Sequence, residues 1–273
     1  MIWRVWFRQS SIPVITVFIA LFSCSALPQD ATPGMPASLS PSEIVERMQR
    51  HNQEQDERLE RYQALRHYAV EYKGFLKIIR AAMDVEVNYD AASGKSFRVV
   101  SQSGSGTLCQ KVLKRAVDSE QEAALIKDET ALTEDNYTFR LLGSETLHDR
   151  PAYTLYVEPL REHKFLYRGK IWVDAADFAL AKLEVEPAKN PSFWISRTLI
   201  HHTYAQTRGF WLPEYDRSET EVRIGGRAVM TIDYGTYVIV PRQVAPVMNT
   251  PQSVELQRVE PSLQTSLPLL PMD

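Results

Sequence analysis

Cysteine is nearly absent from this chain. Among 273 residues there are two, Cys24 and Cys109. Whether Cys24 is lost by cleavage after Ala26 or is lipidated, as argued below, Cys109 has no partner in the mature chain, so no intramolecular disulfide framework is available. A cluster of basic residues is also lacking, and the formal charge is −3. Both features argue against a nucleic-acid partner. Long apolar runs are missing too. Ile12–Phe22, with 11 residues, is too short to span a bilayer as a helix. The chain has no internal repeat of fixed period. It has no glycine-rich phosphate loop either, because Gly104-Ser105-Gly106 lacks the lysine and the strand context.

The short apolar run instead reads as part of a leader. Arg4 and Arg8 precede it, and the small residues Cys24-Ser25-Ala26 follow it. Residues 1–26 are therefore expected to be a secretory signal, which makes the protein exported. Leu21-Phe22-Ser23-Cys24 also resembles a bacterial lipobox, which would make Cys24 a lipidation site; the alternative is cleavage after Ala26. Residues 27–39 are rich in Pro, Ala and Ser and are expected to form a flexible lead-in. From Pro241 to Asp273 the chain is again rich in Pro, Gln and Ser, and reads as a disordered tail.

Between these ends the chain alternates. Ser40-Pro41-Ser42-Glu43 combines an N-cap, a proline at the first helical position and a capping-box glutamate. This predicts a polar helix from Ser42 to about Ala64. Tyr68–Tyr72, Met83–Tyr89 and Lys95–Val100 alternate apolar and polar residues as strands do. Residues 107–127 then break the pattern and read as helices, an insertion or lid between strands. Strand patterns resume at Tyr137–Gly143, Ala152–Val157, Phe165–Val173, Phe178–Glu186, Ser192–Ala205, Tyr215–Ile224 and Ala228–Tyr237.

The hairpin Phe165–Glu186 has the clearest alternation. Pairing Asp174 with Phe178 sets Val173 against Ala179, Ile171 against Ala181 and Tyr167 against Val185. One face then becomes an apolar wall of Tyr167, Ile171, Val173, Ala179, Ala181, Leu183 and Val185. A three-residue Gly225-Gly226-Arg227 loop would similarly pair Val222 with Met230. The expected fold is mainly β with helices. It is a single curled antiparallel sheet of about nine to eleven strands, an incomplete β-barrel, with an N-terminal helix and a helical lid on the concave side.

Three stretches carry a family resemblance: NYTFRLLGSETLHDRPAYTLYVEP, FLYRGKIWVDAADFALAKLEVEP and GFWLPEYDRSETEVRIGGRAVMTIDY. They resemble the outer-membrane lipoprotein-sorting (LolA/LolB-like) proteins and the related domain of a periplasmic sigma-factor regulator (RseB/MucB-like). The resemblance covers roughly residues 42–238. It implies a half-barrel with a lid, enclosing a cavity for acyl chains, in a protein of the periplasm or outer membrane. The long polar first helix, the 107–127 insertion and the Pro-rich tail depart from the carriers.

No catalytic set emerges from spacing. His201 and His202 are adjacent in a strand and point to opposite faces, so they cannot chelate one metal together. Asp174 and Asp177 flank a turn, where aspartate is ordinary. An enzyme reading has only scattered polar residues behind it, and neither a metal nor a cofactor is implied. The expected function is binding of a lipid acyl chain or a lipidated protein, with the apolar wall as its site. The alternative is an envelope sensor or scaffold with the same sheet and no transported ligand. Trp172, Phe193, Trp194, Phe210 and Trp211 lie near strand ends and are candidates for a rim or membrane contact. The ligand's identity and the oligomeric state are not legible.

Overall fold

Among the described residues the chain builds one antiparallel sheet of eleven strands, and the order of those strands explains where the helices lie. The computed structural model describes residues 39–243, apart from 191 and 224. The signal segment, Cys24, most of the lead-in and most of the tail fall outside those residues.

The first helix, α1 (Pro41–Arg58), begins with the expected capping box: Ser40 accepts from the Glu43 amide, and Glu43 accepts from the Ser40 amide. It ends at Arg58, six residues before the predicted end. There β1 (Leu59–Lys73) starts without a loop, because Leu59, Tyr62 and Ala64 already turn inward to the core. β2 (Ile78–Asp90) and β3 (Gly94–Gly104) follow as a meander.

The helical insertion comes next. It comprises α2 (Gly106–Leu108), a π-helical turn (Cys109–Leu113), α3 (Lys114–Leu125) and α4 (Lys127–Thr130). The chain then returns as β4 (Tyr137–Leu147), β5 (Arg150–Pro159), β6 (Tyr167–Asp174), β7 (Leu180–Pro187), β8 (Ile195–Thr207), β9 (Phe210–Val222), β10 (Arg227–Asp233) and β11 (Tyr237–Pro241).

The strand order is β3-β2-β1-β10-β9-β8-β7-β6-β5-β4, and β11 also pairs with β1. β3 and β4 are thus opposite edges of the sheet, and the insertion is the segment that must cross between them. β1 is the spine. Its second half pairs with β10 from His67 to Lys73, and its first half pairs with β11 from Leu59 to Ala64. The sheet is not closed. β11 was not foreseen as a separate strand; it is five residues long and ends in a proline.

Two cores result. One joins the inward residues of β1 and β2, such as Tyr68, Val70, Met83 and Val85, to Cys109, Leu113 and Val117 of the insertion. The other joins β4–β7 to Ile44 and Met48 of α1.

The β6–β7 hairpin departs from the predicted register by two residues. Ile171 faces Leu183, Gly169 faces Val185 and Arg168 faces Glu186. The reason is local. Phe178 adopts φ +57, so the Asp174–Phe178 turn is longer than expected, and a bulge follows between Trp172 and Val173 in the pairing. Asp174 Oδ1 fixes the turn by accepting from the Ala176 and Asp177 amides, at 3.0 and 2.8 Å. From Tyr167 to Trp172 the shift is even, so Gly169 and Ile171 keep the faces assigned to them; past the bulge Val173 faces Leu180, an odd step, so Leu180 joins its core and Ala179 and Ala181 do not. Gly169 has φ +144, and an added methyl would meet the Glu184 carbonyl oxygen across the ladder, so glycine is required there.

The β9–β10 hairpin shifts further, again by an even step. Met230 faces Ser218 rather than Val222, and Ala228 faces Thr220. A longer loop allows this: the Val222 amide donates to the Gly226 carbonyl, and Arg227 pairs across to Glu221 and bonds Glu219.

Candidate ligand groove

The insertion lies over the concave face and leaves a groove beside β8–β10. Leu108, Val112 and Ala116 repeat at helical spacing and face it from above. The register places Ser218, Thr220 and Val222 of β9 on the same face as Ala228 and Met230 of β10, so these line it from below. Ile195 and Phe165 close its sides. The groove, open to solvent, holds about 510 Å³. It is mixed in character: apolar and polar side chains share the walls, Ser218 and Thr220 supply hydroxyls, and Lys111, Arg115 and Lys164 stand among its lining residues together with Asp118 and Glu122. Thr220 shares a hydrogen bond of 3.1 Å with Thr198, which fixes its rotamer.

Polar contacts tie the insertion down. Lys164 from the β5–β6 loop meets Glu122 of α3 at 2.6 Å. Lys127 of α4 meets Asp56 of α1 at 2.7 Å. The deepest contact is Glu120 of α3, which accepts from Arg66 of β1 and from Lys95 of β3, both at 2.7 Å. Arg66 is 0% exposed, and its guanidinium lies 4.5 Å from the Tyr234 ring. Burial pushes the Glu120 carboxyl upward, but Lys95 and Arg66 outweigh it, and the group is held below its ordinary value. Burial likewise opposes the charge on Lys95, and Glu120 more than restores it.

Beside this triad sits a second buried polar group. His202 Nδ1 lies 3.1 Å from Asp216 Oδ2, and its ring packs 4.5 Å from Tyr204 and 5.6 Å from Tyr234. His201 points the other way and meets Glu184 on the outer face, so the two histidines part as strand geometry requires.

The residues expected to form the apolar wall divide between places. Ile171, Val173 and Leu183 belong to the core that α1 covers, where Ile44 and Met48 lie against them. Ala179 and Ala181 pack with Trp211 in a small separate cluster near the 174–178 turn. Val185 is buried and Tyr167 half-buried. None of the seven lines the groove. The groove residues on β9 and β10 were read only as a hairpin, because the four-residue change in pairing hides which side chains meet beneath the lid.

The five aromatics proposed for a rim also divide. Phe193 and Trp194 are exposed. Trp172, Phe210 and Trp211 are buried, which corrects the rim expectation for these three. For the two tryptophans the cause is hydrogen bonding: Trp172 donates its indole N–H to Glu145, and Trp211 donates to Asp177 at 2.9 Å; Phe210 packs in the apolar core with Leu59 and Leu212. Asp177 also accepts from Arg150, whose guanidinium forks onto Asp174 at 2.6 and 2.8 Å. Asp174 and Asp177 are thus engaged in a turn and its clamp. Cys109 is buried, with Sγ 3.6 Å from the Ser103 carbonyl oxygen.

No protein-family model matches the chain, and no curated protein matches its sequence. Solved structures do match. A DUF1329 family protein from Desulfovibrio piger is 14% identical, with a TM-score of 0.36, covering 74% of this chain and 94% of that one. A putative outer-membrane lipoprotein-sorting protein domain from Vibrio parahaemolyticus is 12% identical, with a TM-score of 0.36, covering 73% and 93%. A LolA superfamily protein from Nitrosomonas europaea is 13% identical, with a TM-score of 0.33, covering 76% and 96%.

Proposed function

We propose that the chain is an exported envelope protein that holds an acyl chain, of a lipid or of a lipidated protein, in the groove beneath the insertion. The observation that carries this reading is the groove itself. An amphipathic helix lies over the concave sheet, with Leu108, Val112 and Ala116 opposite Val222, Ala228 and Met230. Its volume of about 510 Å³ suits a small ligand, since such sites run from about 300 to 1,000 Å³. Binding would draw on the hydrophobic effect, at about 0.8 kcal/mol for each CH₂ buried. The lining hydroxyls and the charges of both signs, Lys111 and Arg115 with Asp118 and Glu122, suit a polar head rather than a bare hydrocarbon.

The site proposed from the sequence, the Tyr167–Val185 wall, moves accordingly. Its central members are covered by α1, and the groove on β8–β10 takes their place. The proposal is tested with mass spectrometry of organic extracts from the purified protein, and with a fluorescent long-chain fatty acid titrated into wild type and Ala228→Trp. Co-purified lipid, and probe binding weakened about tenfold or more by the filled groove, are expected. A lipid-free protein that does not bind the probe, or an Ala228→Trp variant that binds it unchanged, refutes the reading.

A further inference from the structure

The two ends of the sheet differ. Turns at 91–93, 148–149, 175–178 and 208–209 form one end, and none of them carries an exposed large apolar side chain; residues 234–236 instead link β10 to β11 beside Leu65, midway along β1. The other end holds the β1–β2, β7–β8 and β9–β10 tips. There Phe75 is 99% exposed, Leu76 95%, Phe193 75% and Trp194 56%.

These three tips form one surface. Tyr72 donates its hydroxyl to the Gly225 carbonyl at 2.9 Å, joining the first tip to the third. The Arg223 amide donates to the Trp194 carbonyl at 2.8 Å, joining the third to the second. The Arg223 guanidinium lies 5.2 Å from the Phe193 ring, which stands edge-on to Trp194.

The tips themselves carry cations. Segments 72–78, 188–196 and 222–228 contain Lys73, Lys77, Lys189, Arg223 and Arg227, and no aspartate or glutamate; Lys73 and Arg227 are paired with Glu71 and Glu219 in the strands below, while Lys77, Lys189 and Arg223 have no ion-pair partner among the described residues. The chain as a whole is acidic, so the excess of cations is local. Exposed bulky side chains flanked by cations are what an anionic membrane interface accommodates: the rings and Leu enter the acyl boundary, and the cations meet the headgroups. A soluble surface gains nothing from four such side chains at the tips of adjacent loops.

We infer that this end of the sheet docks on an anionic lipid bilayer, with Phe75, Leu76, Phe193 and Trp194 inserted and the surrounding cations on the headgroups. Tyr72, Ser192, Val222 and Ala228, at the roots of the same tips, also line the groove. Docking in this way brings the groove to the membrane, which is the source or destination an acyl ligand needs. The inference extends the groove reading and does not depend on it.

The test is co-sedimentation of the mature chain with phosphatidylcholine vesicles, with and without phosphatidylglycerol. It includes Phe75→Ser/Leu76→Ser, Phe193→Ser/Trp194→Ser and Lys77→Gln/Arg223→Gln, each checked by circular dichroism. Wild type is expected to bind the anionic vesicles, to release them as salt rises, and to show Trp194 quenching by brominated lipid. Each double variant is expected to lose about tenfold in partition. Equal binding to neutral vesicles, or variants that bind as wild type does, overturns the inference. So does a chain that binds no vesicle and self-associates through these tips until they are substituted. Lost vesicle binding with acyl-probe binding intact rejects the docking surface alone. The reverse result rejects the groove alone.

Discussion

At the scale of single residues, the contact that decides the behaviour of the insertion is Glu120 with Arg66 and Lys95. Removing one partner of such a buried pair leaves an uncompensated charge, which costs about 3–5 kcal/mol. Arg66, fully enclosed, would be the charge left over in Glu120→Gln. The pH dependence follows from the direction of the shift. The folded-state Glu120 carboxyl titrates below its ordinary value of 4.5. Its contribution is therefore complete above that value and is lost as pH falls through the lower folded-state value. Urea unfolding of wild type is expected to weaken more steeply below pH 4.5 than that of Glu120→Gln. Parallel pH profiles for the two would show that Glu120 contributes no linkage. None of this was legible in the sequence, because Arg66 and Glu120 are 54 residues apart and look like solvated charges on a strand and a helix. Trp172 and Trp211 were misplaced for the same reason: the carboxylates that let them be buried lie 27 and 34 residues away. Phe75 and Leu76 were passed over because two adjacent apolar residues between strands carry no periodic signal.

At the scale of elements, alternation located the strands and their faces well, and gave register poorly. The face of a strand follows from parity, which an even shift preserves. Register depends on whether a residue such as Phe178 takes a left-handed conformation and where a bulge falls, and apolar pattern is silent on both. The end of α1 is ambiguous because Leu59–Ala64 is polar at three of its six positions and fits helix or strand equally. The few apolar residues of α1 form a thin stripe of Ile44, Val45 and Met48, and Ile44 and Met48 reach the core made by Leu155, Ile171 and Val173. Ile44 is 0% exposed. Ile44→Ala is therefore expected to cost about 2–5 kcal/mol by transfer and cavity terms together, measured by urea denaturation. A loss under 1 kcal/mol would mean that α1 lies loosely on the sheet and that the wall beneath it is accessible to a ligand.

At the scale of the whole molecule, the half-barrel follows from one topological fact: the sheet begins in the middle. β1 is laid down first, its outer side is taken by β2 and β3, and the chain then travels to the far edge to start β4. The insertion is that journey, and so the lid is a consequence of strand order rather than an addition to it. The meander from β4 back to β10 must reach β1 again, and β11 completes the return by pairing with Leu59–Ala64. This makes the last strand, though short, a closing element. Tyr237 and Ile239 are both buried in the core of β1 and β2, and the Tyr237 hydroxyl donates to the Pro213 carbonyl at 2.7 Å. Losing two such side chains costs about 3–6 kcal/mol in burial, before the ladder hydrogen bonds are counted. Domain stabilities are only about 5–15 kcal/mol. A chain ended after Thr236 is expected to lose its cooperative thermal transition or to melt more than about 10 °C lower. A chain ended after Gln243 retains β11 entire and is expected to melt as the full chain does. If the shorter chain melts like the longer one, β1 does not need its first half covered, and the sheet is held by the β1–β10 pairing alone.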